Sequence, residues 1–205
     1  MGLIFTQQNI LNARSGGTNQ ITPVVNFDAT EIGAVKICRG EVIAEFETFI
    51  DPQHPIPAYI TELTSITDEM VFQSPTIAQI FPSLLEFLGA ESETVLVAQN
   101  APFDLSFLTY AARAHNFEWP KFPVLDTAII ARKVLTRDEV PNCKLGTLAA
   151  FFGTQTTPNH RALDDARATV DVFHGLLERL GSHDIYTLEE LNNFGKKVKK
   201  PKSPE

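Results

Sequence analysis

The stretch VVNFDATEIGAVKI, residues 24–37, contains two apolar runs with a short polar segment between them. Both runs, residues 24–27 and 32–37, include β-branched residues, which favour β-strands. An Arg-Gly turn then leads into residues 41–49, where side chains of the two faces alternate as in a strand. Three strands in succession predict an antiparallel meander at the start of a sheet.

The rest of the folded chain alternates helical and strand patterns. Apolar residues at steps of three and four indicate a helix face, and short continuous apolar runs indicate a buried strand. These patterns predict strands at residues 93–99 and 123–126 and helices at residues 61–71, 75–88, 103–115, 129–135, 144–152 and 163–181. The order predicts an α/β fold, in which a mixed sheet of antiparallel and parallel strands is covered by helices.

A chain of 205 residues is long enough for one domain with a well-buried core. Residues 1–22 include the small, polar stretch ARSGGTNQ and are expected to form a flexible N-terminal extension. Residues 23–181 are expected to form the folded domain. Residues 182–205 are expected to add a C-terminal helix and a solvated basic tail, KKVKKPKSPE, with contact to nucleic acid as the alternative.

The composition excludes several classes of protein. Hydrophobic residues make up 43% and charged residues 20% of the chain, and no apolar run approaches the length of about 18 residues that a membrane span needs. We therefore expect a cytoplasmic protein without membrane contact. A net charge of −8 argues against coating of long duplexes but is compatible with an enzyme that grips a chain end. Cys38 and Cys143 lie far apart without a CxxC motif, which favours reduced thiols over zinc ligands.

Three aspartates stand at the ends of predicted elements. Asp28 follows the first strand, Asp104 opens a helix in NAPFD, and Asp165 lies near the start of the last helix in HRALDDA. Aspartate is common at such positions for structural reasons alone. Carboxylates that meet from separate elements are also the ligands that Mg²⁺ or Mn²⁺ requires. We therefore expect the three to converge at one end of the sheet.

His160 precedes Asp165 by five residues, in a predicted loop before the last helix. It is either an ordinary surface residue at a helix entry or a general base beside a metal carboxylate. An unperturbed imidazole has a pKa of about 6.5, which suits the second role.

Five segments resemble, in order, the motifs of the DnaQ-like (DEDDh) exonucleases, the family of the bacterial DNA polymerase III epsilon subunit. QNAPFDLSFL resembles the family's second motif, HNAxFDxxFL, and HRALDDA resembles the third. EIGAVKI, ITELTSITDEMV and VLDTAIIARKVL also resemble the family. The C-terminal part also resembles the exonuclease portion of actinobacterial proteins that join this domain to a GIY-YIG endonuclease domain.

The resemblance implies a ribonuclease H-like fold and hydrolysis of phosphodiesters at 3′ ends with two metal ions, Mg²⁺ or Mn²⁺. The catalytic residues that it implies are His160, Asp28, Asp104 and Asp165, of which the three aspartates bind metal. The substrate-binding residues that it implies are Gln99, Asn100 and Phe103. The implied substrate is a 3′ end of single-stranded DNA, with RNA as an alternative. The implied setting is proofreading or repair beside a polymerase or repair partner. Phe103 and Phe107 are candidates for stacking on a terminal base, with a place in the core as the alternative.

The first motif departs from the family pattern, which is D-x-E-T-T-G followed by a long loop. Here VVNFDAT runs directly into EIGAVKI. If Asp28 matches the family's Asp, Thr30 stands at the Glu position. If NFD matches D-x-E, Asn26 stands at the Asp position and Asp28 at the Glu position. Glu31 is no substitute, because a residue three places from Asp28 lies on the opposite face of an extended strand.

Three hypotheses follow from this incomplete pair of carboxylates. The first is a metal-dependent 3′-to-5′ exonuclease with a degenerate first motif. The second is a catalytically impaired member of the family that binds nucleic acid or a protein. The third is a sequence lesion, either a deletion or an unrecorded loop, in an otherwise ordinary exonuclease.

Overall fold

The computed structural model describes residues 2–6, as backbone, and residues 29–194. Within these residues a mixed sheet has the order β3-β2-β1-β4-β5. Pairing of β1 with β2 and of β2 with β3 is antiparallel, whereas β1 with β4 and β4 with β5 are parallel. The strands are β1 (Gly2–Thr6), β2 (Glu31–Cys38), β3 (Glu41–Phe49), β4 (Val95–Ala98) and β5 (Val124–Asp126). The predicted α/β architecture, with three antiparallel strands followed by parallel ones, is confirmed.

The described part of the chain contains eight helices. They are α1 (Ala58–Thr64), α2 (Asp68–Val71), α3 (Ile77–Leu88), α4 (Ala101–Ala114), α5 (Thr127–Val134), α6 (Leu145–Phe152), α7 (Ala162–Gly181) and α8 (Leu188–Asn193). None of the helices within residues 29–194 is long and apolar enough to cross a bilayer.

The strand between β2 and β4 differs from the prediction. Residues 2–6 occupy this place, although they were expected to belong to a flexible extension and residues 24–27 were expected to supply the strand. A central strand covered by helices on both faces favours a continuous apolar run. Residues 3–5 of GLIFT form such a run. Residues 24–27 and Asp28 lie outside the described residues.

The helix predicted over residues 61–71 is in fact two short helices. Ser65 ends α1 in the left-handed region, with φ 60°, and its backbone N–H donates to the carbonyl of Thr61. Thr67 is extended and precedes α2. The apolar spacing of Ile60, Ile66 and Val71 is that of a small separate core rather than of one helix face.

The sheet separates two larger cores. In β2, Val35 packs with α5, α6 and α7, whereas its neighbour Ala34 packs with α3 and α4. In β4, Val97 packs in the core with Val35, and Leu96 packs in the core with Ala34. Alternate residues of a strand point to opposite faces, so α7 and α4 cover opposite faces of one sheet.

Candidate active site

The segment between β4 and α4 positions Asp104. After β4 ends at Ala98, Asn100 adopts the left-handed conformation, with φ 64° and ψ 50°, and α4 begins at the next residue. Asp104 lies in the first turn of α4 and is 4% exposed. The partial positive charge at a helix N-terminus favours a carboxylate there. A buried carboxylate therefore lies just beyond the C-terminal end of β4.

The Gln99 side chain links this turn to two neighbouring segments. Its Nε2 donates to the carbonyl of Cys143 at 2.7 Å, and its Oε1 accepts from the hydroxyl of Thr127 at 2.5 Å. Both ends of the amide thus have protein partners. Gln99 fixes the loop before α6 and the start of α5 against the end of β4, a role that the sequence did not indicate.

Asp126 is a further residue that the sequence did not single out. Its Oδ1 accepts from the N–H groups of Ala128 and Ile129, which caps α5, and from the N–H of Asn100 at 3.1 Å. An aspartate between a strand and a helix is a signature of an N-cap. The contact with Asn100 crosses 26 residues of sequence, and no local pattern predicts it.

The first turn of α7 positions Asp165. This side chain is 3% exposed, and its Oδ1 accepts from the backbone N–H groups of Asn159 at 3.1 Å and His160 at 3.3 Å. Burial raises the pKa of the Asp165 carboxyl above its ordinary value. The two backbone hydrogen bonds and the charge of His160 offset part of this rise.

His160 lies at the surface, two residues before α7. Its backbone is in the left-handed region, with φ 69°, which an L-residue rarely adopts. The Asp165 carboxylate holds this turn through the N–H of His160 itself. The predicted general base and the predicted metal ligand are therefore in direct contact through the backbone.

The Glu31 side chain contacts the turn that contains His160. It is 4% exposed, and its carboxylate pairs with Arg161, whose Nη2 lies 2.7 Å from Oε1 and whose Nε lies 3.2 Å from both oxygens. The N–H of Ala162 donates to Oε2 at 2.7 Å. These contacts agree with the prediction that Glu31 does not replace the missing glutamate of the first motif.

Close packing of β2 against α7 fixes the start of that helix. A Cβ added to Gly33 would lie 2.3 Å from the backbone C of Ala162 and from the backbone N of Leu163. No side chain fits this gap. Glycine at position 33 therefore allows the first turn of α7 to rest directly on the sheet.

The sheet register places the starts of α4 and α7 at the same edge. Thr6, at the C-terminal end of β1, pairs with Gly33, and Phe5 pairs with Ala98. The first turn of α7 lies on Gly33, and α4 starts three residues after Ala98. The first turns of α7 and α4, which carry Asp165 and Asp104, thus lie at one edge of the sheet and on opposite faces.

Two of the three predicted metal ligands, Asp104 and Asp165, lie among the described residues and suit a hard divalent cation. Two buried carboxylates supply the oxygen ligands that Mg²⁺ or Mn²⁺ prefers, and such ions are often held by one or two carboxylates plus water and phosphate. Within residues 2–6 and 29–194, no three His, Cys, Asp or Glu side chains cluster closely enough to hold a metal. The third predicted ligand, Asp28, lies outside these residues, and its role stays a prediction.

Comparisons with known proteins agree with this architecture. The family model described as RNase_T, exonuclease, matches residues 22–173. A bifunctional exonuclease/endonuclease protein of Mycobacterium tuberculosis (strain CDC 1551 / Oshkosh) is 51% identical over 165 residues, which are 80% of this chain and 25% of that protein. A PolC-type DNA polymerase III of Caldanaerobacter subterraneus subsp. tengcongensis is 40% identical over 169 residues, which are 82% of this chain and 12% of that protein.

A solved structure shows the same fold. Exonuclease X in complex with 5′-overhanging duplex DNA superposes with a TM-score of 0.66 at 21% identity, covering 95% of this chain and 99% of that chain. The ribonuclease H-like fold predicted from the sequence is thereby confirmed. The chain spans a quarter or less of the length of the two curated relatives. The match of the family model over most of the folded region shows that this chain belongs to the RNase_T exonuclease family.

Proposed function

We propose that the protein is a metal-dependent 3′-to-5′ exonuclease that removes nucleotides from single-stranded DNA ends. The observation that carries the proposal is that Asp104 and Asp165, each at most 4% exposed, lie in the first turns of two helices that start at the same edge of the sheet. A buried carboxylate is costly unless a cation or hydrogen bonds compensate it. Two buried carboxylates from separate helices supply the oxygen ligands that Mg²⁺ or Mn²⁺ prefers.

Each of the proposed site residues has one task. Asp104, Asp165 and Asp28 hold Mg²⁺ or Mn²⁺ through carboxylate oxygens. When bound, a pair of such ions stabilises the charge on the attacking and leaving oxygens of the phosphodiester. His160, which is exposed to solvent, takes the proton of the attacking water.

The terminal nucleotide is proposed to contact the start of α4. Asn100 is exposed, and Phe103 is half-buried in the first helical turn, so its ring is available for stacking on a base. Phe107 is 4% exposed and belongs to the core between the sheet and α4, which favours the core alternative for that residue. The side-chain amide of Gln99, next to Asn100, holds this segment in place through its hydrogen bonds with Thr127 and Cys143.

DNA is the proposed substrate, and a polymerase or repair protein is the proposed partner. One relative is a PolC-type polymerase, and the solved structure of exonuclease X holds DNA. These are properties of the similar proteins and support the proposal for this chain by analogy.

The test is digestion of a single-stranded oligonucleotide that carries a label at its 5′ end or at its 3′ end. We expect loss of single nucleotides from the 3′ end, only with added Mg²⁺ or Mn²⁺. His160→Ala should lower the rate by about 10²- to 10⁴-fold, the usual contribution of a general base. The exposed His115 offers a matched control, and His115→Ala should leave the rate unchanged. Release from the 5′ end, or activity in EDTA, would contradict the proposal.

The second candidate is a catalytically impaired protein that binds nucleic acid or a protein partner. The engagement of Glu31 with Arg161 favours it, because this leaves the first-motif glutamate without a replacement from β2. A variant in which a family-like segment restores D-x-E-T-T-G before Glu31 separates the two candidates. Activity that appears only in this variant would place the defect in the first motif. Binding of single-stranded DNA without cleavage, even after the repair, would favour the binding protein.

A further inference from the structure

We propose that Glu31 and Arg161 form a positioning pair. The pair holds His160 in the position that it needs as general base and does not itself contact the substrate. This inference rests on the proposed function of His160. Glu31 comes from the first residue of β2 and Arg161 immediately precedes α7, so the pair joins the sheet to the turn that carries His160.

The contacts of Arg161 are directed at the protein. Two of its nitrogens donate to the Glu31 carboxylate, and the guanidinium lies 5.2 Å from the centroid of the Phe49 ring. An arginine beside a phosphodiester site is otherwise the first candidate for a bidentate contact with phosphate. Here the carboxylate of Glu31 takes that bidentate interaction, and an aromatic ring covers the guanidinium.

The turn that contains His160 is held from both of its ends. On one side, the Asp165 carboxylate accepts from the N–H groups of Asn159 and His160. On the other side, Glu31 accepts from the N–H of Ala162 and from the side chain of Arg161. The left-handed backbone of His160 is intrinsically unfavourable and persists only where its surroundings fix it. Glu31 supplies the half of this restraint that comes from the sheet.

A second ion pair on the same helix provides a matched control. Arg167 donates through Nε and Nη2 to the two oxygens of Glu45, at 2.8 Å and 2.7 Å. Its geometry is as good as that of the first pair. It differs in burial, since the Glu45 side chain is 35% exposed and that of Glu31 is 4% exposed. Arg167 also follows His160 by seven residues, which is about two helical turns.

The kinetic test compares Glu31→Gln with Glu45→Gln in the full chain, on the single-stranded oligonucleotide. Misplacement of a catalytic group by about 1 Å can lower a rate by about 10²-fold, so we expect a loss of that order in kcat for Glu31→Gln. KM should stay within about twofold of the original value, because no substrate contact is removed. Glu45→Gln should change neither. A rise in KM with kcat unchanged would show that the pair serves substrate binding and would overturn the proposal.

Limited digestion with trypsin tests the restraint without any nuclease activity. Trypsin cleaves after arginine, and we expect the bond after Arg161 to be resistant in the original chain and in Glu45→Gln but to be cut in Glu31→Gln. Equal resistance in all three would overturn the proposal. If the original chain does not cleave DNA but the three proteins show this digestion pattern, the proposed nuclease activity is wrong and the restraint of the turn by Glu31 is supported. Failure of the proposed function and failure of the restraint can therefore be told apart.

Arg161→Lys covers the case in which Glu31→Gln does not fold. Lysine keeps the positive charge but loses the planar fork. We expect a folded protein with a smaller loss of kcat, of about 10-fold, and unchanged KM. Full activity of this variant would overturn the proposal.

Discussion

Asp165 shows how one residue can be unfavourable for stability and suited to metal binding. Its carboxyl is almost fully buried, and burial raises its pKa. An acid whose pKa is higher in the folded than in the unfolded state contributes stability below the unfolded pKa. That contribution is lost as the pH rises through the folded pKa. At neutral pH and without metal, the raised pKa of the buried Asp165 carboxyl therefore opposes folding.

We expect Asp165→Asn to increase the free energy of unfolding at pH 7 in EDTA. The asparagine Oδ1 still accepts from the N–H groups of Asn159 and His160, while the buried charge is removed. The gain is about 1.4 kcal/mol for each unit by which folding raises the pKa, and it should shrink as the pH falls through that pKa. Urea denaturation between pH 4 and pH 8 measures it.

Asp164→Asn is the control for this prediction. Asp164 is partly exposed and contacts Arg167 and the side chain of Asn159, so removal of its charge relieves no burial. It should give no gain in stability at pH 7. A gain as large as that of Asp165→Asn would contradict the assignment of the effect to burial.

Residues with a local sequence signature were predictable, whereas residues whose partners are distant in sequence were not. Asp104 and Asp165 stand in the first turns of helices, where a motif identifies them. Glu31 reaches Arg161 across 130 residues of sequence, and Asp126 reaches Asn100 across 26. Such partners are set by the packing of β2 on α7 and of β5 beside β4, which no short pattern encodes.

At the scale of elements, the contact of β2 with the first turn of α7 decides where the site is built. The helix approaches the strand so closely that Gly33 has no room for a Cβ. The backbone of Ala162 and Leu163 forms the other side of the gap, and backbone cannot move aside as a flexible side chain can. The strand and the start of the helix therefore behave as one unit.

We expect Gly33→Ala to destabilise the protein by about 1–3 kcal/mol, the usual cost of overpacking. It should also lower activity, because the start of α7 must move away from the sheet with Asp165. Thermal unfolding and the oligonucleotide assay measure the two effects.

Gly146→Ala in α6 is the matched control. Nothing lies within 4 Å of a Cβ at this exposed helical position. Alanine should stabilise the protein by about 0.5–1 kcal/mol through its better helix propensity. A stable, fully active Gly33→Ala variant would show that α7 tolerates displacement from β2.

Most elements were predictable because each has its own periodicity. The apolar stripe of α7 and the alternation in β3 identify those elements without any tertiary information. The division of residues 61–71 was not predictable, since Ser65 adopts its left-handed conformation without a glycine or a proline to indicate a break. The use of residues 2–6 as the central strand was not predictable, because an apolar run of three residues is too short to identify a strand from periodicity.

At the scale of the whole molecule, the residues of the candidate site come from two layers. Asp104 belongs to α4 on one face of the sheet and Asp165 to α7 on the other. An ion bound to both carboxylates would link the layers across the sheet edge. It would bind only the folded chain, because the unfolded chain keeps the two residues apart.

We expect Mn²⁺ to raise the melting temperature, and Asp104→Asn and Asp165→Asn each to abolish the increase. Binding to the folded state alone contributes about 2.7 kcal/mol at a hundredfold excess over Kd. The increase should be larger in a variant with a restored D-x-E pair, because the number of carboxylates helps to set affinity. Differential scanning fluorimetry with and without Mn²⁺ measures it.

Asp138→Asn is the control for metal binding, because this aspartate is exposed and lies outside the predicted site. It should keep the full increase in melting temperature. An equal increase in Asp165→Asn would place the ion elsewhere on the protein.

The separation of the two cores by the sheet bears on how the protein opens under native conditions. Local opening in proteins occurs in cooperative units, each with its own free energy. If α4 with α3 forms one unit and α7 with α5 and α6 forms another, the site exists only while both are closed. Amide hydrogen exchange would then report two opening free energies, and the smaller of the two would set the fraction of molecules in which the candidate site is open under native conditions.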